Sequence, residues 1–210
     1  MTRRAVVHVV LAVAAGPACR SAVDTSATII HPGAPGQANR AISREAATDL
    51  SKVQATPADV KFMQGMIGHH AQAIEMTALI ADRTARDDMK MLGQRIAVSQ
   101  ADEMEMMRTW LRARGQEVPS EHAHHTHEGF MPGMLTAEQM AELAAAKGPA
   151  FDELFLKGMI QHHAGALTMV EELFKTPGAG QEGDINAFAA DVDSDQRMEI
   201  DRMRAMLGRK

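Results

Sequence analysis

The sequence predicts an all-α fold, a four-helix bundle made of two duplicated helix pairs with a short connecting helix. Three observations carry this expectation. A fifteen-residue segment from Phe62 to Met76 (FMQGMIGHHAQAIEM) recurs from Phe155 to Met169 (FLKGMIQHHAGALTM) at an offset of 93, with nine identical residues, which marks an internal duplication. Apolar residues in and after each copy recur at helical spacing. No stretch alternates with period two for long enough to make a strand.

Residues 1–18 read as an export signal, in which Arg3 and Arg4 precede an apolar run from Ala5 to Ala15 too short to span a bilayer. Gly16 and Ala18 permit cleavage after Ala18, which leaves Cys19, the single cysteine, at the new N-terminus. The pattern resembles a bacterial lipoprotein signal, with Gly16 where an aliphatic residue is usual. The expected location is the periplasm or another extracytoplasmic space, with a lipid anchor at Cys19 as the alternative to free secretion. Residues 19–56 are small, polar and interrupted by Pro32-Gly33-Ala34-Pro35-Gly36, and read as a flexible tether with a weak helix over 43–53.

Residues 57–210 carry the duplicated bundle. Thr56-Pro57-Ala58-Asp59 supplies a hydroxyl cap, a proline at the first helical position and an early acid, so a helix is expected over 57–82. A second follows over 85–114 and stops at Gly115, closing repeat one at 57–115. Residues 116–135 form a His-rich loop. Thr136 and Gln139 offer a capping box for a short helix over 136–146, and repeat two, 136–210, continues with helices over 149–175 and 184–207.

Composition narrows the chemistry. Only 3% of residues are aromatic and none is tyrosine, against 17 Met and 10 His, so the core is aliphatic, Met-rich and adaptable. With no thiol after Cys19, disulfides and thiolate metal sites are excluded from the bundle. Cleavage after Ala18 removes two of the 22 basic residues and none of the 27 acids, moving the net charge from −5 to −7. No basic patch is left to neutralise phosphates, which argues against nucleic acid as a partner.

On a helix turning about 100° per residue, Phe62, Met66, His69, Ala73, Met76 and Ile80 share one stripe. Phe155, Met159, His162, Ala166 and Met169 repeat it, with His70 and His163 on the flank. Thioether sulfur together with imidazole selects copper, Cu(I) above all, over hard cations. Met66, His69, His70 and Met76, and their counterparts Met159, His162, His163 and Met169, are therefore candidate ligands. The alternative for each is plain core filling by Met and a hydrogen-bonded His. The second helix of each pair puts acids on its inward stripe, Glu103 with Met107 and Glu199 with Met203, as further candidates. Each carboxylate either accepts a ring N–H from His69 or His162 and fixes its tautomer, or is itself a ligand. His122, His124, His125 and His127 form a second candidate site, suited to Cu(II) or Zn²⁺ through nitrogen, or else a solvated loop.

The pattern G-M-I-x-H-H-x-x-A with a later Q-x-x-E, present twice, resembles the family catalogued as domain of unknown function 305. The resemblance covers about 57–207 and implies a ferritin-like bundle, export, and copper binding of the copper-resistance type. The copies differ at Glu75 and Thr168. The expected function is non-catalytic copper storage, buffering or resistance, since no nucleophile-base-acid set is visible. The alternatives are a ferritin-like di-metal oxidase, which the absence of Glu-x-x-His from the main helices opposes, and a structural or phosphorelay bundle. The expected partner is a metal ion; a second copy of the chain or a copper-delivery protein stays open as a further one.

Overall fold

The computed structural model describes residues 29–31, 38–49, 53–120 and 131–208. Residues 1–18, expected to be an export signal, Cys19 and the four histidines between 122 and 127 lie outside these residues. The chain divides into two compact units, 1–49 and 50–210.

The first unit holds a short strand pair that the sequence did not announce, and a helical turn inside the weak helix expected over 43–53. β1 (Ile29–His31) pairs antiparallel with β2 (Arg40–Ile42), Ile29 opposite Ile42. Three residues a strand are too few to establish an alternating pattern, so periodicity could not reveal them. A one-turn helix, α1 (Arg44–Thr48), follows, capped by the Ser43 side chain.

In the second unit α2 (Pro57–Ala78) starts as the sequence predicts. The Thr56 hydroxyl accepts the Asp59 N–H, and the Asp59 carboxylate accepts the Thr56 N–H at 2.6 Å. The other oxygen of the buried Asp59 accepts the Gly180 N–H at 2.7 Å, so one acid caps a helix and ties it to a distant loop. The expected continuous helix to 82 is interrupted after Ala78, and a single turn, α3 (Ile80–Arg83), follows. Thr77 bonds back to the Ile74 carbonyl at 2.8 Å, a contact that bends helices. α4 (Asp87–Ala113), α5 (Ala137–Ala145), α6 (Gly148–Lys175) and α7 (Gly183–Leu207) fall within a few residues of expectation. No described helix is long and apolar enough to cross a membrane.

α2 packs on α4, α6 packs on α7, and the α2–α6 seam joins the two pairs. Across the remaining side Arg95 meets Glu199 at 3.2 Å and Arg114 meets Glu182 at 3.0 Å, which closes the four-helix arrangement. α2 and α6 run antiparallel: Met169 lies over Gly65 and Met76 over Gly158. The core consequently falls into two apolar clusters. One gathers Phe62, Met66, Ile67, Met107, Trp110, Val170 and Phe188. The other gathers Met76, Ile80, Ile96, Phe155, Met159 and Met203. Along both α2 and α6 the paired histidines stand between them.

Residues 131–135, just ahead of α5, form a strap along the α2–α6 seam. Leu135 exchanges two hydrogen bonds with the buried Gln72 amide, at 2.7 and 2.9 Å. Gly133 turns the strap at φ 77°. Gly165 lets it lie on α6, because a Cβ there would stand 1.9 Å from the Pro132 carbonyl oxygen.

Candidate metal centre

His69, His70, His162 and His163 are all fully buried. The expectation of one inward and one flanking histidine per helix therefore needs correcting. A helix in a four-helix bundle has two packed neighbours, so a residue 100° off the central stripe still faces one of them. His69 and His162 point into the seam, ring centroids 3.9 Å apart. His70 turns to α4 and His163 to α7.

Each imidazole is held through Nε2. His69 reaches the Pro132 carbonyl at 3.0 Å and His162 the His69 carbonyl at 2.9 Å. His70 meets Glu103 at 2.5 Å and His163 meets Glu199 at 2.6 Å. The carboxylates thus bind the flanking histidines, where the sequence pointed to His69 or His162. Ser99 supports Glu103 and Arg95 supports Glu199, each at 3.2 Å. Carbonyl oxygens only accept, so Nε2 of His69 and His162 carries the proton and Nδ1 keeps a lone pair. Carboxylate partners assign the same tautomer to His70 and His163.

None of the four Nδ1 atoms has a hydrogen-bond partner. Buried polar atoms are normally paired, and leaving one bare costs about 1–3 kcal/mol. Both atoms of the Gln100 amide and Oε1 of Gln196, one turn before the two glutamates, are also unpaired. Burial pushes the His69 pKa down to about 3, helped by the neighbouring His70 imidazole, while the Pro132 carbonyl opposes the shift. His162 is likewise held well below the usual range, by burial first and then by His69. These two rings stay neutral at physiological pH, in the form that ligates metals.

The thioethers stand on both sides of the histidine layer. Met66 and Met107 are fully buried in one cluster, and Met76, Met159 and Met203 in the other. Met169 is partly buried and crosses to Gly65 of the opposite repeat, close to Met131. Among the described residues no three His, Cys, Asp or Glu side chains converge as a metal cage. Sequence reasoning missed Gln72 and the Pro132 carbonyl. The available signal was the mismatch between copies, Gln72 against Gly165, at a position that meets the strap in both.

A four-helix bundle with paired, metal-competent imidazoles at its centre defines the class. The DUF305 family (domain of unknown function) matches residues 59–207, and the chain belongs to it. A DUF305 fragment from Deinococcus radiodurans is 31% identical, with a TM-score of 0.64, covering 74% of this chain and 99% of that one. A Streptomyces coelicolor DUF305 protein classed as secreted is 30% identical, with a TM-score of 0.61, covering 71% and 91%. CopM in its Cu(I)-bound form is 26% identical, with a TM-score of 0.55, covering 73% and 96%. Cu(II)-bound and Ag-bound CopM structures are similar too. No curated protein is matched. The expected family and all-α bundle are thus borne out.

Proposed function

We propose that this chain is an exported, non-catalytic copper-binding protein that holds Cu(I) between consecutive histidines, His69 with His70 and His162 with His163. The observation that carries this reading is the set of four buried Nδ1 lone pairs without a partner. Ring centroids within each pair are 6.4 and 6.2 Å apart. Two collinear metal–nitrogen bonds of about 2 Å, with about 1 Å for each ring's half-width, span roughly 6 Å. Cu(I) is content with two donors, and the thioethers of Met66, Met76 and Met159 line its surroundings with soft sulfur. The likeness to Cu(I)-bound CopM supports the choice of metal, and the Streptomyces relative classed as secreted supports export.

Storage, buffering or resistance suits a site sealed from solvent. Burial also disfavours the phosphorelay alternative, since a phosphodonor cannot reach the four rings. For Cu(II) or Zn²⁺ the sequence offers the separate tract His122, His124, His125 and His127; the likeness to Cu(II)-bound CopM supports Cu(II) as an ion this chain takes, without bearing on where.

Competition titration of the mature protein against a Cu(I) chelator tests the proposal. Cu(I) is expected to bind more tightly than Zn²⁺ or Fe²⁺, and His69→Ala or His162→Ala to lose at least about tenfold, or 1.4 kcal/mol. Binding no tighter than that of a helical control lacking histidine would sink it.

A further inference from the structure

The α2–α6 seam ends differently on the two sides of the histidine layer. At Gly65 an added Cβ would meet Met131 Sδ at 3.2 Å and Met169 Cε at 3.4 Å. At Gly158, its counterpart in the second repeat, the Cβ would meet Leu135 Cδ2 at 3.1 Å and Met76 Cε at 3.4 Å. The strap thus offers a thioether at one end of the seam and an isobutyl group at the other. The Leu135 end is closed: Leu135 and Met76 are both buried. The Met131 end opens into a cavity of about 360 Å³, walled by Lys61, Gly65, Met131, Pro132, Met169 and Glu172. Pro132 lines this cavity and also accepts the hydrogen bond from His69 at 3.0 Å, so its wall is one residue from the histidine layer.

We propose that the Met131–Met169 cavity is the port through which a soft monovalent ion, Cu(I) or Ag(I), reaches the buried histidines. This rests on the copper reading above. Neutral thioethers bind such ions without demanding proton release, and they have little affinity for hard cations. A partly exposed thioether pair holds an ion less firmly than two imidazole nitrogens, so the ion moves inward. Gly65 keeps the port open, since a side chain there would press on Met131 Sδ and the Met169 methyl group.

The duplication supplies the test variant. Met131→Leu gives the port the residue class that already closes the other end, and a Met-to-Leu exchange keeps volume and fold. Cu(I) transfer from its bicinchoninate complex into the mature protein is followed anaerobically by loss of the complex's colour. Met131→Leu is expected to slow transfer at least about tenfold while equilibrium affinity and stoichiometry stay those of the parent. Transfer at the parental rate would overturn the port. So would an affinity loss as large as the rate loss, because the sulfurs would then be resident ligands. Failure of the parent itself to take copper would overturn the underlying copper reading, and is seen before any variant is compared.

Discussion

The two repeats hold their outer histidines alike and their inner histidines differently. His70 with Glu103 and His163 with Glu199 form matching pairs inside each helix pair. In the seam, His162 bonds the His69 carbonyl, whereas His69 bonds Pro132 of the strap. Duplication copies what lies within a repeat, but one strap crossing the pseudo-two-fold seam cannot treat both copies equally. The symmetric layer carries the proposed nitrogen donors, and the asymmetric strap decides how each inner ring is anchored and which end of the seam is open.

The largest expected effect comes from separating strap and seam. Gly165→Val would place a Cβ 1.9 Å from the Pro132 carbonyl oxygen and 2.6 Å from Gly133 Cα. Both obstacles are backbone, so the strap must lift, at about 3 kcal/mol or more. Urea unfolding should show the loss, and proteolysis of the native protein should cut near residue 133.

Glu199→Ala and Glu103→Ala compare the matching pairs. Each leaves a buried Nε2–H without its acceptor, at about 2–3 kcal/mol. The Glu199 side chain is 8% exposed and that of Glu103 18%, so water replaces the second acceptor more readily. Unfolding midpoints should therefore fall further for Glu199→Ala; equal losses would mean that burial does not distinguish the repeats.

Acid tests the seam itself. The folded His69 pKa lies near 3 against an ordinary 6.5, so below 6.5 the unfolded chain takes up the proton and the folded chain does not. Stability is complete above pH 6.5 and is lost as pH falls from there toward about 3, with about 2 kcal/mol gone at pH 5 from this ring alone. An apo-protein midpoint that stays flat between pH 7.5 and 5 would contradict buried neutral imidazoles. Smallest of all should be Gly65→Ala, whose Cβ meets only side-chain ends at 3.2 and 3.4 Å. The expected stability loss, measured by thermal unfolding, is under about 1 kcal/mol.

The four long helices and the short α5 were legible because their signals are local: Thr56 and Thr136 caps, apolar spacing, and a repeated His-His. The buried position of His70 was not, since a single helical stripe describes one packing neighbour and this bundle supplies two. The same geometry moved Glu103 and Glu199 from the inner to the outer histidines. The strap was hidden for another reason. Met131-Pro132-Gly133-Met134 has no periodicity, and its place depends on Gly165 and Gln72, far along the chain. β1 and β2 were too short to leave a pattern.

The claim that the Nδ1 atoms are the metal donors is tested most directly by ¹⁵N NMR of the histidine rings as Cu(I), or redox-inert Ag(I), is added without oxygen. The account expects Nδ1 of His69, His70, His162 and His163 to shift while all four Nε2 atoms keep their protons and their partners. Metal uptake that strips the Nε2 protons, or that leaves all four rings unchanged, would contradict it.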